Sequence, residues 1–163
     1  MNATVASQGV QPTVSALLPV YLRHATASVT AMLERALESV LTQQYPADFE
    51  VLVVDDGSPT PIAELLTGSR WFSPHVRIIR SERNNGLVHA LNLGLRCARF
   101  EYIARIDADD CWRSGKLEKQ LPYFANDSNL TIVGTGMRLV SENGELIEEI
   151  IRADDLFNEF SVL

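Results

Sequence analysis

The chain has only two cysteines, no long apolar run and an excess of acidic over basic residues. Cys97 and Cys111 lack the spacing of a zinc site or of a disulfide framework, so we predict two reduced thiols. No apolar stretch approaches the roughly 20 residues that span a bilayer, which predicts that no transmembrane segment is present. The net charge of −7 argues against binding to nucleic acid or to an anionic membrane surface.

The amino terminus carries no targeting pattern. The first twelve residues have neither a basic region nor a continuous apolar core, so they do not read as a secretory signal. We predict residues 1–12 to be a disordered lead-in and residues 13–163 to be one domain, which is long enough to bury a sizeable core. We therefore expect a cytoplasmic protein, and leave open a peripheral position of the full-length protein at the inner membrane face.

Short apolar runs alternate with amphipathic segments up to residue 124. The pattern predicts strands at 14–18, 49–54, 76–80 and 101–106, and helices at 29–41, 61–66, 87–98 and 116–124. Pro19 is expected to end the first strand, and Leu87, Leu91 and Leu95 to share one face of the third helix. Such alternation is typical of an α/β fold with a mostly parallel sheet and helices on both faces.

The pattern changes after residue 130. Residues 131–134 are a further strand candidate, and 137–140 and 145–151 flank Asn143-Gly144, a strong hairpin signal. A helix is expected to begin at Leu156, close to the end of the sequence. Because Leu156 and the apolar residues after it have few residues left to cover them, we expect self-association through the C-terminal third or a disordered tail.

Two acidic clusters follow predicted strands, Asp55 and Asp56 after the second and Asp107, Asp109 and Asp110 after the fourth. Open α/β sheets bind ligands at the carboxyl ends of their strands. Two unit charges about 4 Å apart repel by roughly 4 kcal/mol at an effective dielectric near 20. A divalent cation carrying a phosphorylated ligand would turn that repulsion into binding, although each cluster taken alone could be a tight turn or a helix cap.

Five segments also match a known family in order: residues 14–21, 37–44, 53–58, 85–92 and 104–110. In this combination the chain resembles the family 2 glycosyltransferases, nucleotide-sugar-dependent enzymes with the GT-A fold. The resemblance implies that Pro19, Tyr21 and Asp56 line the base pocket, with Asp56 accepting a hydrogen bond from uracil or a similar base. Asp107 and Asp109 match the Asp-x-Asp motif, in which Asp107 would face the ribose and the metal shell and Asp109 would bind Mg²⁺ or Mn²⁺.

Three nearby residues have open roles. Arg105 could stabilise the leaving diphosphate as part of the nucleotide-sugar site, or form an ion pair with Asp107 or Asp55. Asp110 could hold a metal-bound water or the donor sugar, or cap the next helix. His89 could contact phosphate or be a structural histidine.

The resemblance implies metal-dependent, inverting transfer from a nucleoside-diphosphate sugar, with a UDP-sugar favoured, to a glycan or lipid-linked saccharide. Leu22 stands where such enzymes often have Asn. The acceptor half and its general base are expected beyond residue 163, which leaves the catalytic base unknown and the isolated chain inactive. One alternative is a non-catalytic nucleotide-binding module. A second is a sugar-phosphate nucleotidyltransferase, but the glycine-rich loop that such an enzyme has after its first strand is missing here. A third is a phosphoacceptor receiver domain, in which the acidic pair would follow the first strand.

Overall fold

A computed structural model describes residues 12–44, 48–71, 73–141 and 144–150. The chain divides into two compact units, Met1–Glu118 and Lys119–Leu163. The expected lead-in, apart from Pro12, and the expected helix from Leu156 lie outside the described residues.

The first unit contains a four-stranded parallel sheet in the order β3-β2-β1-β4. Its strands are β1 (Val14–Val20), β2 (Phe49–Asp55), β3 (Val76–Arg80) and β4 (Tyr102–Arg105). The two central strands are buried almost throughout, which explains their continuous apolar runs. The predicted parallel sheet is confirmed.

The strand β1 continues through Pro19 to Val20, where the sequence predicted an end at Leu18. Its pairing with β4 stops at Leu17, opposite Arg105, and the backbone N–H of Ile106 donates to the Leu17 carbonyl. Pro19 is the next residue of β1 that would face β4, and without an N–H it cannot extend that ladder. The proline ends one ladder while the pairing with β2 runs on.

The helices are α1 (Ala27–Leu41), α2 (Ile62–Leu65), α3 (Leu87–Cys97) and α4 (Lys116–Asn126). The side chain of Thr26 caps α1 by accepting from the N–H of Val29. The buried side of α1, which includes Leu33 and Leu37, packs against one face of the sheet, and α3 packs against the other. Helices on both faces are thus confirmed.

Only part of the apolar face expected for α3 packs on the sheet, where Leu91 contacts the core. Leu87 and Leu95 are each 51% exposed, whereas Ala90 and Gly94 are buried. A Cβ added at Gly94 would lie 2.2 Å from Cδ1 of Leu17. The helix therefore approaches the sheet through its small residues, because a larger side chain would not fit.

The second unit contains the predicted hairpin. Its strands β5 (Met137–Val140) and β6 (Leu146–Ile150) are antiparallel, and an Arg138–Glu149 ion pair joins them. The strand predicted at 131–134 is wrong, since these residues have no regular structure. A strand needs a hydrogen-bonded partner, and none of the described strands pairs with this segment.

A buried carboxylate joins the strands at the amino end of the sheet. Glu50 accepts from the Ser15 hydroxyl at 2.8 Å, from Nη1 of Arg77 at 2.6 Å and from the backbone N–H of Arg99 at 2.8 Å. Burial alone would raise the pKa of Glu50, but the hydrogen bonds from Arg77, Arg99 and Ser15 outweigh it and lower that pKa. The ionised carboxylate therefore stabilises the fold.

We expect Glu50→Gln to lower the free energy of unfolding at neutral pH by about 2–4 kcal/mol, because Arg77 loses its charged partner. The folded pKa lies below the ordinary value of 4.5. The contribution is therefore present above that value and is lost as the pH falls through the folded pKa. Urea unfolding at several pH values should show a smaller acid-induced loss in the variant than in the wild type.

The control is Glu38→Gln, which breaks an exposed ion pair with Arg70. Exposed pairs contribute about 1 kcal/mol or less, so this variant should unfold almost like the wild type. Equal losses for the two variants would contradict a special role for the buried network.

Candidate functional site

A cavity of about 250 Å³ opens at the carboxyl edge of the sheet. Its lining comes from the ends of β1, β2 and β3 and from the first turn of α3: Pro19, Val20, Tyr21, Asp56, Asn84, Gly86, Leu87 and Ala90. The structure thus brings together the three residues that the resemblance places at the base. Their roles in binding stay predictions.

Asp56 forms the polar part of the cavity wall and is only 3% exposed. Its Oδ2 accepts from the backbone N–H of Gly86 at 2.7 Å and of Asn85 at 3.0 Å. Nδ1 of His89 lies 3.8 Å from Oδ1 and has no hydrogen-bond partner. The carboxylate therefore also holds the loop between β3 and α3, a role that the sequence did not indicate.

Asp55 points away from the cavity lining and is fully buried. Its carboxylate accepts from the N–H of Ser58 at 2.8 Å and of Ile62 at 3.2 Å, and it forms an ion pair with Arg80. The two adjacent aspartates therefore differ in role. Asp55 fixes the turn, and Asp56 faces the cavity.

Gly57 lets the loops that follow β2 and β3 touch. Its φ is +75°, and a Cβ there would lie 2.4 Å from the carbonyl carbon of Arg83. Only glycine combines this backbone conformation with such a close approach. The adjacent Asp56 is held in place by the same contact between loops.

The second acidic cluster follows β4 and is absent from the cavity lining. Nη2 of Arg105 donates to both carboxylate oxygens of Asp107 at 2.9 Å, and Nε donates at 3.1 Å. The ion-pair alternative for Arg105 is therefore the one the structure contains, with Asp107 as the partner. Asp109 and Asp110 are exposed.

Partial burial and neighbouring charges both affect the pKa of one carboxyl group in this cluster. Partial burial of the carboxyl group, followed by the charges of Asp109 and Asp107, raises the pKa of Asp110, and Arg105 opposes that rise. Carboxylates that repel one another gain from a nearby cation. Their oxygens are the ligand type that Mg²⁺ and Mn²⁺ favour. Within the residues the structure describes, no three Asp, Glu, His or Cys side chains are grouped to hold a metal.

Five cavity residues were not among the site residues predicted from the sequence: Val20, Asn84, Gly86, Leu87 and Ala90. The available signal was the Asn-Asn-Gly turn after β3, which falls at the same sheet edge as both acidic clusters. That placement alone does not indicate that the turn folds against Asp56. Cys97 and Cys111 are free thiols in the structure.

With this geometry established, comparison with known proteins identifies the family. The family model described as "Glycosyl transferase family 2" matches residues 15–154. The chain belongs to this family. Among its relatives, the Bacillus subtilis protein TuaG, provisionally named a teichuronic acid biosynthesis glycosyltransferase, is 30% identical over 89% of this chain and 54% of its own length. The Escherichia coli O-antigen biosynthesis glycosyltransferase WbnJ is 36% identical over 71% of this chain and 44% of its own.

Solved structures agree with the GT-A fold. Staphylococcus aureus TarS (1–349) matches with a TM-score of 0.59 at 20% identity, over 82% of this chain and 43% of that one. A mannosyltransferase from Pyrobaculum calidifontis, solved with GDP-Man and Mn²⁺, matches with a TM-score of 0.51 at 30% identity, over 64% of this chain and 29% of that one. This family 2 chain spans about half the length of the two named relatives. None of its described helices is long and apolar enough to cross a bilayer.

We expect Gly57→Ala to destabilise this glycosyltransferase chain more than Gly68→Ala. Both glycines have positive φ, but a Cβ at Gly68 would meet nothing within 4 Å. The control should therefore cost about 1–2 kcal/mol, from backbone conformation alone. Gly57→Ala should cost a further 1–3 kcal/mol or so, from the clash with Arg83. Urea unfolding measures both, and equal losses would show that the loops separate freely.

Proposed function

We propose that this chain binds the donor of a metal-dependent glycosyltransferase, a nucleoside-diphosphate sugar, at the carboxyl edge of its sheet. The observation that carries the proposal is the placement of a partly apolar cavity and an acidic cluster after adjacent strands of one sheet. The cavity would take the base and the cluster would take the metal-bound diphosphate. The mannosyltransferase solved with GDP-Man and Mn²⁺ supports this assignment by its likeness to the chain.

The cavity suits a nucleobase. Pro19, Leu87 and Ala90 supply apolar walls, and the ring of Tyr21, 42% exposed, can cover one face of a base. A carboxylate offers about four acceptor positions. At Asp56 the hydrogen bonds from Asn85 and Gly86 take up three of them.

The remaining acceptor position suits one N–H from the ligand. Uracil and thymine each present a single N–H between two carbonyl oxygens, whereas guanine presents two adjacent donors. Of the two bases that fit, we propose uracil, which the family resemblance favours, and therefore a UDP-sugar as the donor.

The acidic segment after β4 would hold the metal. Asp109, which is exposed, is proposed as a direct ligand of Mn²⁺ or Mg²⁺, and Asp107 as a ligand or a ribose contact. Arg105 holds both oxygens of Asp107 and thereby fixes its orientation. Bound there, the metal would act as a Lewis acid that stabilises the leaving diphosphate.

The acceptor is proposed to be a glycan or a lipid-linked saccharide. The names of the two relatives, in teichuronic acid and O-antigen biosynthesis, support a saccharide acceptor. Inversion at the sugar carbon and a cytoplasmic location remain parts of the proposal.

Calorimetric titration with UDP, GDP, CDP and dTDP in Mn²⁺ tests the donor site. UDP should bind most tightly, and EDTA should remove most of the affinity, because the acidic cluster then repels the diphosphate. Equal affinity with and without the metal would remove the metal from the proposal. If none of the four nucleotides bound, the proposal of a donor site would be wrong.

Two substitutions separate the base from the metal. Asp109→Ala should weaken UDP binding in Mn²⁺ by about ten- to a hundredfold, as expected for a damaged metal site, and should leave uridine binding unchanged. Asp56→Ala should weaken uridine binding in EDTA as well, because its proposed partner is the base. Glu101→Ala is the control, since it removes an exposed carboxylate just before β4, at the opposite end of that strand. If Asp56→Ala weakened only the metal-dependent part of UDP binding, the assignment of Asp56 to the base and of Asp109 to the metal would be wrong.

A further inference from the structure

Arg80, the last residue of β3, contacts two groups of the loop that follows β2. Its Nη1 donates to the carboxylate of Asp55, and its Nη2 donates to the carbonyl of Ser58 at 2.8 Å. Asp55 and Ser58 are fully buried, whereas Arg80 is 37% exposed. A planar guanidinium can make two such hydrogen bonds in one fixed orientation.

Ser58 also binds the loop that follows β1, so that this loop is connected to Arg80 through Ser58. Its hydroxyl oxygen accepts from the N–H of Leu22 at 3.0 Å. The neighbour of Leu22 is Tyr21, which lines the cavity, and Asp56, on the same loop as Ser58, lines it as well. One guanidinium thus connects the two loops that carry these cavity residues.

We infer that Arg80 is a positioning residue for the nucleotide site. It does not line the cavity, and it acts by fixing Asp55 and Ser58, which in turn hold Asp56 and Tyr21 at the base. The inference rests on the proposed function in naming the ligand. The constraint on the two loops stands independently of any ligand.

The same strand provides a matched control in Arg77. Arg77 also pairs with a buried carboxylate of β2, Glu50, and also donates to a backbone carbonyl, that of Cys97 at 3.2 Å. It lies at the other end of the sheet, away from the cavity. The two arginines therefore share a strand and the same types of partner, although Arg77 makes both contacts through Nη1 whereas Arg80 uses both Nη1 and Nη2. They differ in what they could position.

The experiment compares Arg80→Lys with Arg77→Lys. Lysine keeps a charge for the carboxylate but lacks the fork by which Arg80 also reaches the Ser58 carbonyl. Because the charge is kept in both variants, both should fold with modest losses in urea unfolding. Arg80→Lys should weaken UDP binding about tenfold and speed hydrogen exchange at the Leu22 and Ser58 amides by a similar factor. Arg77→Lys should change neither quantity.

Ser58→Ala supplies a second route, since it removes the hydroxyl that holds Leu22 and keeps the ion pair. It should speed exchange at Leu22 and weaken UDP binding as Arg80→Lys does. Unchanged exchange and affinity in Arg80→Lys, or equal effects of Arg77→Lys, would overturn the inference. If the wild type bound no nucleotide, the proposed function would fail, and the exchange comparison alone would decide the positioning role.

Discussion

The candidate site depends on one buried charge, the carboxylate of Asp55. Removing an ionised carboxylate from water costs several kcal/mol unless it is paired and hydrogen-bonded. Arg80 and the N–H groups of Ser58 and Ile62 meet that requirement, and in doing so they give the chain after β2 a fixed path. Asp56 is the next residue in the chain. The hydrogen bonds that compensate the charge of Asp55 therefore also determine where the side chain of Asp56 points.

The same pairing occurs at both ends of β2 with different consequences. At the amino end, Glu50 and Arg77 tie the sheet to the segment after α3, and the network includes the N–H of Arg99. At the carboxyl end, Asp55 and Arg80 tie the sheet to a loop instead. The ion pair at the amino end of β2 therefore only joins elements of the fold, whereas the ion pair at the carboxyl end also fixes a loop that lines the cavity.

Much of the fold could be predicted from sequence because buried parallel strands leave a simple signature. The apolar runs of β1 and β2 and the turn pattern between β5 and β6 each reflect a local requirement. The packing face of α3 could not be predicted in this way, because it depends on a glycine that fits against Leu17 from a distant strand. Residues 131–134 have the local composition of a strand, but no strand in the described part of the chain pairs with them.

Prediction of the candidate site from the sequence is limited in the same way, because it cannot foresee contacts between distant residues. Placement at strand ends brought both Asp55 and Asp56 to the predicted site, since parallel strands bring their carboxyl ends to one edge. It was the family resemblance that selected Pro19, Tyr21 and Asp56, and neither argument brought Gly86 into the cavity. That detail depends on hydrogen bonds between residues about 30 positions apart in sequence, such as that from Gly86 to Asp56.

Pro19 relates the separation of the cavity from the acidic cluster after β4 to backbone chemistry. Because it has no N–H, the ladder between β1 and β4 ends at Leu17, while β1 remains paired with β2 as far as Val20. The end of β1 therefore stays with the ends of β2 and β3, where the cavity lies. The acidic segment that follows β4 is released from the sheet at the same level, so its carboxylates repel one another outside the cavity lining. A single residue without an N–H thus allows the strand ends to form a cavity on one side and a separate acidic cluster on the other.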